Sequence, residues 1–294
     1  MSFVEDALKF HAEHNGMLAV ASKVPLNNRE DLALAYTPGV AEPCKAIKEN
    51  KELSFEYTCR GNTVAIVSDG TRVLGLGDIG PEAAMPVMEG KAVLFKTFGD
   101  VDAIPICIDT KDPEEIIETV RRLQPAFAGI NLEDFSSPKC YEIEDRLREI
   151  CDIPVFHDDQ HGTAIACLSA VMGALRYVKK DIKDVKVVVN GCGAAGSAIG
   201  RLFVSMGFPN VIMVERVGAL YKGIDAKLDK NQRYLSEVTN PNMEKGTLAD
   251  VAKGADILVG VSGPNLFTKE IIASMADKAI VFGLANPVPE TSYE

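Results

Sequence analysis

The stretch KVVVNGCGAAGSAIGRLFVSM, residues 186–206, joins a short apolar run, a glycine-rich turn and a helical pattern. Its three consecutive valines are typical of a buried strand, and a helical periodicity begins at Ala194. Between these segments Gly191, Gly193 and Gly196 fit the pattern G-x-G-x-x-G, which indicates a dinucleotide site when it follows a strand and opens a helix. A glycine-rich connection that binds nothing is the alternative interpretation.

Each residue of the turn has a predicted task. Gly191 permits the tight turn, Gly193 lets the backbone approach a pyrophosphate, and Gly196 allows close packing of the helix on the strand. The helix begins with Ala194 and Ala195, and N–H groups at a helix N-terminus bind phosphate charge readily. We therefore expect these five residues to bind a dinucleotide cofactor.

A second predicted strand, 210–214, follows the helix and ends at Glu215, at about the 20-residue spacing typical of this unit. An acid at that position accepts hydrogen bonds from ribose hydroxyls, which favours NAD. Arg216 comes next, and an arginine there could instead meet the 2′-phosphate of NADP. The sequence predicts NAD, and NADP stays open as the alternative.

The composition is that of an ordinary globular chain, with 294 residues, 47% hydrophobic and 25% charged, and with room for two domains. A net charge of −11 provides no electrostatic footprint for nucleic acid or an anionic membrane. The N-terminal segment lacks the apolar core of a signal peptide, and no window reaches the length of a membrane span. Seven scattered cysteines indicate neither a disulfide framework nor zinc. We expect a cytoplasmic protein.

Short apolar strands alternate with helical runs on both sides of the glycine turn, which predicts an α/β fold with parallel sheets. The predicted strands are 63–67, 103–108, 126–132, 154–156, 256–261 and 279–284, and the predicted helices are 83–97, 113–123, 163–178, 248–253 and 269–276. We predict an N-terminal α/β domain, residues 1–162, followed by a Rossmann-like dinucleotide-binding domain with a parallel sheet, residues 163–294. The helix at 163–178 is the expected hinge, and substrate is expected between the two domains.

Two pairs of acidic residues follow predicted strands of the N-terminal domain. Glu133 and Asp134 follow one strand, and Asp158 and Asp159 follow another. Ligands of open α/β sheets bind at the carboxyl ends of strands. Adjacent residues of a strand point to opposite faces, so the first pair can share a ligand only where the chain bends. The SSP turn at 136–138 is predicted to supply that bend.

Carboxylates brought together repel one another, and a hard divalent cation with oxygen ligands, Mg²⁺ or Mn²⁺, would compensate the repulsion. The alternative is that these acids cap helices, because Asp and Glu are favoured in first helical turns. His157 and His161 flank the second pair. They are interpreted as structural histidines or as residues that orient the carboxylates.

Seven motifs follow one another along the chain: YTPGVAEPC from Tyr36, SDGTRVLGLGDIG from Ser68, EGKAVLFK from Glu89, NLEDF from Asn131, HDDQHGTA from His157, GCGAAG from Gly191 and GLANPVPE from Gly283. Together they resemble the motifs of the malic enzyme family over essentially the whole chain. The resemblance implies oxidative decarboxylation of L-malate to pyruvate and CO₂, with NAD or NADP and a divalent metal. It also implies that the N-terminal domain binds the substrate and the metal.

The resemblance implies a role for each acid of the two pairs. Glu133, Asp134 and Asp159 match the metal ligands of the family. Lys91 matches the base that takes the hydroxyl proton of malate, and a buried lysine beside other charges can do such work. Asp158 is expected to hold that lysine in position.

Three further residues match substrate-binding or proton-transfer groups of the family. Tyr36 matches the acid that protonates C3 of enolpyruvate, Arg72 matches the clamp on the substrate carboxylate, and Asn286 matches an asparagine that binds substrate and is expected beside the cofactor too. Without the resemblance, the tyrosine is interpreted as a turn residue, the arginine as a surface residue and Lys91 as an ordinary helix lysine. Asn-Pro is also an ordinary turn signal.

Family members usually continue beyond NPVPE, whereas this chain ends at Glu294. The resemblance therefore implies a C-terminally shortened dinucleotide domain, as a fragment or as a shortened paralogue. Two alternatives to an NAD-dependent malic enzyme stay open: a malolactic enzyme, which converts L-malate to lactate and CO₂, and a non-catalytic NAD-binding subunit. The resemblance also implies a homodimer with the amphipathic segment 4–14 at its interface.

Overall fold

The computed structural model describes residues 2–292, so Met1 and residues 293–294 lie outside the described residues. The chain forms two compact units. The first contains the chain up to Val73, Asp78–Glu133 and Ile143–Phe156, and the second contains Leu74–Gly77, Asp134–Glu142 and the chain from His157. The two units alternate along the sequence, and a domain boundary after residue 162 stays a prediction.

The first sheet has four strands, in the order β2-β1-β3-β4, and β1 pairs in parallel with β2 and β3. The elements in this part of the chain are α1 (Phe3–His14), α2 (Arg29–Ala35), α3 (Ala41–Glu49), α4 (Ser54–Tyr57), β1 (Thr63–Ser68), α5 (Pro81–Gly99), β2 (Asp102–Cys107), α6 (Pro113–Leu123), β3 (Gly129–Leu132), α7 (Lys139–Ile150) and β4 (Val155–His157). Parallel strands end at the same edge of a sheet, so the residues after β1 and β3 share that edge.

Helix α5 carries Lys91 and is fixed by its apolar face. Pro81 begins the helix, where its missing N–H leaves no intrahelical bond unmade. The buried core beside the helix consists of Ile66, Met88, Ala92 and Ala103. This packing joins α5 to β1 and β2 and thereby sets the position of Lys91 within the first unit.

The N-terminal helices contribute little to that core. Helices α1, α2 and α3 contain no buried residue. The exposed large apolar side chains of α1 are Phe3, Val4, Leu8 and Phe10. Within residues 2–292, no helix combines the length and the apolarity needed to cross a membrane.

The second sheet has five strands, in the order β7-β6-β5-β8-β9, and only the edge pair of β6 and β7 is antiparallel. The elements of this part are α8 (Asp158–Val178), β5 (Lys186–Asn190), α9 (Ala194–Ser205), β6 (Asn210–Glu215), β7 (Gly218–Ala219), α10 (Lys230–Val238), α11 (Leu248–Val251), β8 (Ile257–Gly260), α12 (Lys269–Ala273) and β9 (Ile280–Gly283). The chain leaves β5 toward β6 on one side and later places β8 on the other, which makes β5 the switch point where ligands bind in such sheets.

Both faces of the second sheet are buried. Val187 and Val189 of β5 belong to one core cluster, and Val188 belongs to the cluster on the opposite face. This division follows from the alternation of side chains along a strand. A parallel sheet that is covered on both faces is the doubly wound α/β arrangement, so the predicted fold class is confirmed.

Two predicted boundaries are wrong near the acidic residues. The helix predicted at 163–178 begins at Asp158, because His157 takes the extended N-cap position and the two acids after it occupy the first turn. The strand predicted at 126–132 begins at Gly129, because Gln124–Ala126 forms a 3₁₀ turn instead. The second acidic pair therefore lies on a helix rather than in a loop.

Candidate active site

The glycine turn between β5 and α9 has the geometry expected of a phosphate-binding turn. Gly191 has a φ of +113°, and a Cβ there would lie 2.8 Å from the Val261 carbonyl oxygen. A Cβ on Gly196 would lie 1.8 Å from the Gly191 carbonyl oxygen, so the helix approaches the strand more closely than any side chain permits. At Gly193 no atom lies within 4 Å of the Cβ position. The turn is closed on its inner side and open at Gly193.

The N-terminus of α9 faces that opening. Gly193 is the N-cap and supplies no side-chain cap, and the helix continues through Ala194 and Ala195. The first N–H groups of a helix have no intrahelical acceptors and carry the positive end of the helix dipole. These two alanines therefore present backbone donors without side chains that would obstruct an anion.

A cavity of about 710 Å³ in the second unit begins beside the turn. Its volume is within the range of small-molecule sites, roughly 300–1,000 Å³. The side chains of Asn190, Glu215, Arg216 and Lys245 supply polar groups to its lining. Glu215 Oε2 accepts a hydrogen bond from the Cys192 N–H at 3.2 Å, so the acid at the end of β6 is directed to the turn.

Asn190 adds an unsatisfied donor to this cavity. Its side chain is 7% exposed, and its Nδ2 has no hydrogen-bond partner within the described part of the chain. A buried donor without a partner is costly, and a ligand that accepts a hydrogen bond would remove that cost. The asparagine is therefore suited to contact a molecule bound in the cavity.

The cysteine in the turn is not a nucleophile. Burial, reinforced by the negative charges of Glu215 and Asp229, raises the pKa of the Cys192 thiol far above its usual range. The thiolate is the reactive form of cysteine, and it is not populated near neutral pH at such a pKa. The residue fills space in the turn as a neutral thiol.

In the first unit, Lys91 and Glu133 form a partly buried ion pair. Lys91 Nζ lies 3.0 Å from Glu133 Oε1, and the two side chains are 21% and 7% exposed. Asn131 Nδ2 donates to the other carboxylate oxygen, Oε2, at 2.8 Å. Lys91 lies on α5, Asn131 lies in β3, and Glu133 directly follows β3. The two predicted residues, Lys91 and Glu133, therefore meet Asn131 at the carboxyl edge of the sheet.

In the second unit, Asp134 and Asp159 are held together. The backbone N–H of Asp134 donates to Asp159 Oδ2 at 2.9 Å. Asp134 has a φ of +58°, a left-handed conformation that is uncommon for a residue with a side chain. The chain therefore bends at Asp134 itself, directly after Glu133. The bend was predicted at the SSP turn, residues 136–138, and lies earlier in the chain.

His157 orients the same aspartate. Its Nε2 lies 3.1 Å from Asp159 Oδ2, and its ring is fully buried. The Gln160 amide nitrogen lies 3.0 Å from Nδ1. If the amide donates to Nδ1, the proton of the neutral ring is on Nε2, the nitrogen that lies 3.1 Å from Asp159 Oδ2. The histidine lies beside the carboxylate, and its role in orienting Asp159 stays a prediction.

Asp158 occupies space that a glycine leaves open. It begins α8, and Gly162 follows one turn later. A Cβ on Gly162 would lie 2.0 Å from Asp158 Oδ1 and 2.8 Å from its Cγ. The Asp158 carboxylate therefore lies over the first turn of α8, in the space that the side chain of any other residue at position 162 would occupy.

Tyr36 and Arg72 lie on the surface of the first unit, and Asn286 lies on the surface of the second. Tyr36 follows α2 with 67% of its surface exposed. Neither Tyr36 nor Arg72 has a side-chain hydrogen bond or ion pair within residues 2–292. Asn286 lies in the loop after β9. The structure thus pairs Lys91 with Glu133, but leaves these three predicted residues facing solvent within their units.

Four residues near these groups were not predicted as site residues: Asn131, Gly162, Asn190 and Glu290. Asn131 begins the motif NLEDF, and Asn190 directly precedes the motif GCGAAG. Both stand at or near a strand end, which was the signal available for them. Glu290 is the last residue of NPVPE, but its fully buried carboxylate could not be inferred from a surface-like, proline-rich segment.

Sequence profiles of one family match both halves of the chain. The profile described as malic enzyme, N-terminal domain, matches residues 15–148. The profile described as malic enzyme, NAD binding domain, matches residues 160–293. The two matches together leave only short segments of the chain unassigned.

Curated relatives extend the similarity to named enzymes. The NAD-dependent malic enzyme of Geobacillus stearothermophilus is 53% identical over 279 residues, which cover 95% of this chain and 58% of that enzyme. The bifunctional malic/malolactic enzyme of Bacillus subtilis is 49% identical over 294 residues, which cover 100% of this chain and 72% of that enzyme. Further relatives are named NADP-dependent malic enzymes. The chain therefore spans 58% and 72% of the first two of these relatives, and 38% of the NADP-dependent malic enzyme of Escherichia coli.

A solved structure shows the same relationship in three dimensions. The crystal structure of an NAD-dependent malic enzyme from Thermotoga maritima superposes with a TM-score of 0.95 at 48% sequence identity. The match covers 98% of this chain and 76% of that chain. The similarity in fold therefore extends over nearly the whole of this chain.

Proposed function

Because this chain belongs to the malic enzyme family, we propose that it carries the site for oxidative decarboxylation of L-malate to pyruvate and CO₂ with reduction of NAD. In this reaction the C2 hydroxyl loses its proton, C2 loses a hydride, the bond to the departing carboxylate breaks, and C3 gains a proton. The observation that carries the proposal is the ion pair of Lys91 and Glu133, with 3.0 Å between Nζ and Oε1. It joins the proposed base to a proposed metal ligand.

Proton transfer is assigned to residues of this chain. Lys91 takes the hydroxyl proton in its neutral amine form, after its own proton has been released to solvent, and Glu133 stabilises the ammonium ion that results. Tyr36 returns a proton to C3 of enolpyruvate, so one proton leaves the substrate and one is added. Asp158 positions the lysine, and Arg72 binds a substrate carboxylate through its planar fork. Asn286 completes the contacts with malate.

The metal is assigned to Glu133, Asp134 and Asp159, whose carboxylates offer only oxygen ligands. Such a donor set suits Mg²⁺ or Mn²⁺. When bound, the ion would withdraw electron density from the C2 oxygen of the substrate and so favour loss of CO₂. The residues fit this role because Asp159 is already oriented by the Asp134 N–H and by His157.

The cofactor is proposed to bind at the glycine turn and in the cavity beside it. When bound, its nicotinamide would accept the hydride of C2. Gly191, Gly193, Gly196 and the start of α9 are assigned to the pyrophosphate. Glu215 is assigned to the ribose, where its negative charge disfavours a 2′-phosphate. NAD is therefore proposed over NADP, although Arg216 and Lys245 also line the cavity.

Replacing the acid tests the cofactor assignment. Glu215→Gln removes the negative charge at nearly constant volume, so the ratio of kcat/KM for NAD to that for NADP should fall. Lys222→Gln is a matched control, because Lys222 is exposed and does not belong to the lining of the cavity. An unchanged ratio in Glu215→Gln would remove Glu215 from the ribose site.

The experiment for the function itself is an incubation of the purified chain with L-malate, Mn²⁺ and NAD, with NADP in a parallel reaction. Pyruvate that equals the NADH formed, and that disappears when EDTA replaces Mn²⁺, supports the proposal. Binding of NAD without formation of any product would instead favour the non-catalytic NAD-binding subunit. Pyruvate formation that is unchanged when EDTA replaces Mn²⁺ would contradict the metal assignment.

A second candidate is malolactic chemistry, and one comparison favours it. The relative from Bacillus subtilis, 72% of which the chain covers, is named a bifunctional malic/malolactic enzyme. Such a reaction would keep the hydride bound and release lactate. Lactate without accumulation of NADH in the incubation above would support this candidate against the oxidative one.

A homodimer is proposed as the assembly. The large apolar side chains of α1 are exposed within the described part of the chain, and a second copy is the occupant proposed for that face. Leu8→Glu should shift the mass measured by light scattering from dimer toward monomer. Glu13→Gln, on the same helix, is the control that should leave the mass unchanged.

A further inference from the structure

Glu290 is a buried acid that the proposed chemistry does not use. Its side chain is 0% exposed. Oε1 accepts a hydrogen bond from the Ser262 N–H at 2.8 Å, and Oε2 accepts one from the Ala285 N–H at 3.0 Å. No lysine or arginine of residues 2–292 forms an ion pair with it. A buried carboxylate without such donors would be strongly disfavoured, so these two bonds are what holds it.

The two donors belong to different strand ends. Ser262 follows β8 and Ala285 follows β9, and these strands are parallel neighbours. One carboxylate therefore joins the loops at the carboxyl edge of the sheet. Backbone bonds reinforce the connection, because the Phe267 N–H donates to the Glu290 carbonyl oxygen at 3.0 Å and the Asn265 N–H donates to the Pro289 carbonyl oxygen at 3.1 Å.

The connection closes a short loop around Asn286. The chain leaves β9 at Ala285, passes through Asn286, and returns at Glu290, whose side chain bonds back to the Ala285 N–H. The sheet has a matching recess for the acid, since a Cβ on Gly260 would lie 2.4 Å from Glu290 Cδ. The carboxylate is thus fitted between the sheet and the loop.

We propose that Glu290 is a positioning residue that fixes the Asn286 loop against the carboxyl ends of β8 and β9. The proposal rests on the proposed function, in which Asn286 contacts malate. The edge where strands end is the place where α/β sheets bind ligands, so the position of this loop controls a ligand contact. Glu290 itself stays buried and touches no ligand.

The variant that tests the proposal is Glu290→Gln. It keeps the size of the side chain but replaces one oxygen by an NH₂ group, which would face a backbone N–H that needs an acceptor. Hydrogen exchange resolved to single amides should then be faster at Ala285 or Ser262, while the amides within β8 and β9 exchange as in the parent. Glu270→Gln, at an exposed position of α12, is the matched control.

Steady-state kinetics distinguish a positioning role of Glu290 from a purely structural one, because only a positioning role changes kcat/KM for malate while the Kd of NADH stays constant. In Glu290→Gln, kcat/KM for malate should fall by about tenfold or more, because the contact of Asn286 is displaced. The Kd of NADH at the glycine turn should change by less than about twofold, since that turn lies on β5 and α9. Turnover equal to the parent, with exchange at Ala285 accelerated, would overturn the positioning role.

The two proposals can fail separately. If the parent chain does not oxidise malate, the proposed function fails, whereas hydrogen exchange still decides whether Glu290 closes the loop. If Glu290→Gln does not fold, hydrogen exchange in the parent protein alone tests whether Glu290 closes the loop. In the parent, the Ala285 and Ser262 amides should exchange far more slowly than the Val288 amide, which has no acceptor within the described residues. Equal exchange at these three amides would overturn the proposal.

Discussion

Replacing Gly162 with alanine would displace Asp158 without removing any group of the proposed site. In the structure the alanine Cβ would lie 2.0 Å from Asp158 Oδ1, whereas ordinary contact begins at 3.4 Å. The difference, 3.4 minus 2.0, requires the carboxylate to move by 1.4 Å. The aspartate side chain is free to rotate, so the backbone of α8 should stay in place.

The size of the effect follows from that displacement. A misplacement of about 1 Å in a catalytic site costs about 10²-fold in rate. We therefore expect kcat/KM for malate to fall about a hundredfold in Gly162→Ala, or about 2.7 kcal/mol of transition-state free energy. Stability should move the other way, because alanine is favoured over glycine in a helix by about 0.5–1 kcal/mol.

The assay compares steady-state kinetics and thermal unfolding of Gly162→Ala with those of Gly173→Ala. Gly173 lies on the same helix, and nothing lies within 4 Å of its Cβ position. Both variants should have melting temperatures equal to or above that of the parent, and only Gly162→Ala should lose activity. Parent-like kcat/KM in Gly162→Ala would contradict the proposed role of Asp158 in positioning the base.

The other predictions concern the base, the metal and the thiols. Lys91→Ala should lower kcat by about a hundredfold while the Kd of NADH stays constant, and unchanged turnover would exclude Lys91 as the base. Asp159→Asn should raise the Mn²⁺ concentration for half-maximal activity by about tenfold or more, and equal Mn²⁺ dependence would remove Asp159 from the ligands. Burial raises the pKa of Cys167 to about 12, so at about pH 8 its thiolate fraction is about 10⁻⁴. A thiol reagent should modify exposed Cys44 at once and Cys167 only on unfolding, and rapid modification of folded Cys167 would contradict this burial.

The fold could be predicted from the sequence where local pattern and tertiary structure agree. In the segment from β5 to α9, the local pattern of valines, glycines and helical periodicity predicts the same elements that the structure contains. The parallel arrangement of the strands follows from the alternation of strands and helices. Boundaries were less predictable. Helix α8 begins at Asp158 because first-turn acids are favoured by the helix dipole, but the same acids also suit a loop with a metal site.

The candidate site was predictable in residue type and only partly in geometry. Chain order indicated that Glu133 and Asp134 end a strand, but it could not indicate that Asp134 adopts a left-handed φ of +58°. The pair of Lys91 and Glu133 joins α5 to the end of β3, and contacts between elements distant in sequence require the packed structure. The roles of these residues stay predictions, as does the cytoplasmic location.

Gly162 and Glu290 illustrate what the sequence alone conceals. A glycine inside a helical pattern usually signals only a loss of helix propensity, and its use as a recess for Asp158 depends on a side-chain rotamer. A glutamate after two prolines suggests a solvated loop. This one is fully buried, because two backbone N–H groups donate hydrogen bonds to its carboxylate. Both features are set by tertiary contacts.

The fate of the hydrogen on C2 of malate tests most directly whether this chain catalyses oxidative decarboxylation. L-malate deuterated at C2 would be incubated with the purified chain, Mn²⁺ and NAD, and the reduced cofactor and the organic acids would be examined by mass spectrometry. We expect one deuterium to be transferred to the cofactor for each pyruvate released. Pyruvate formed with an undeuterated cofactor, or lactate that retains the deuterium without any NADH, would contradict it.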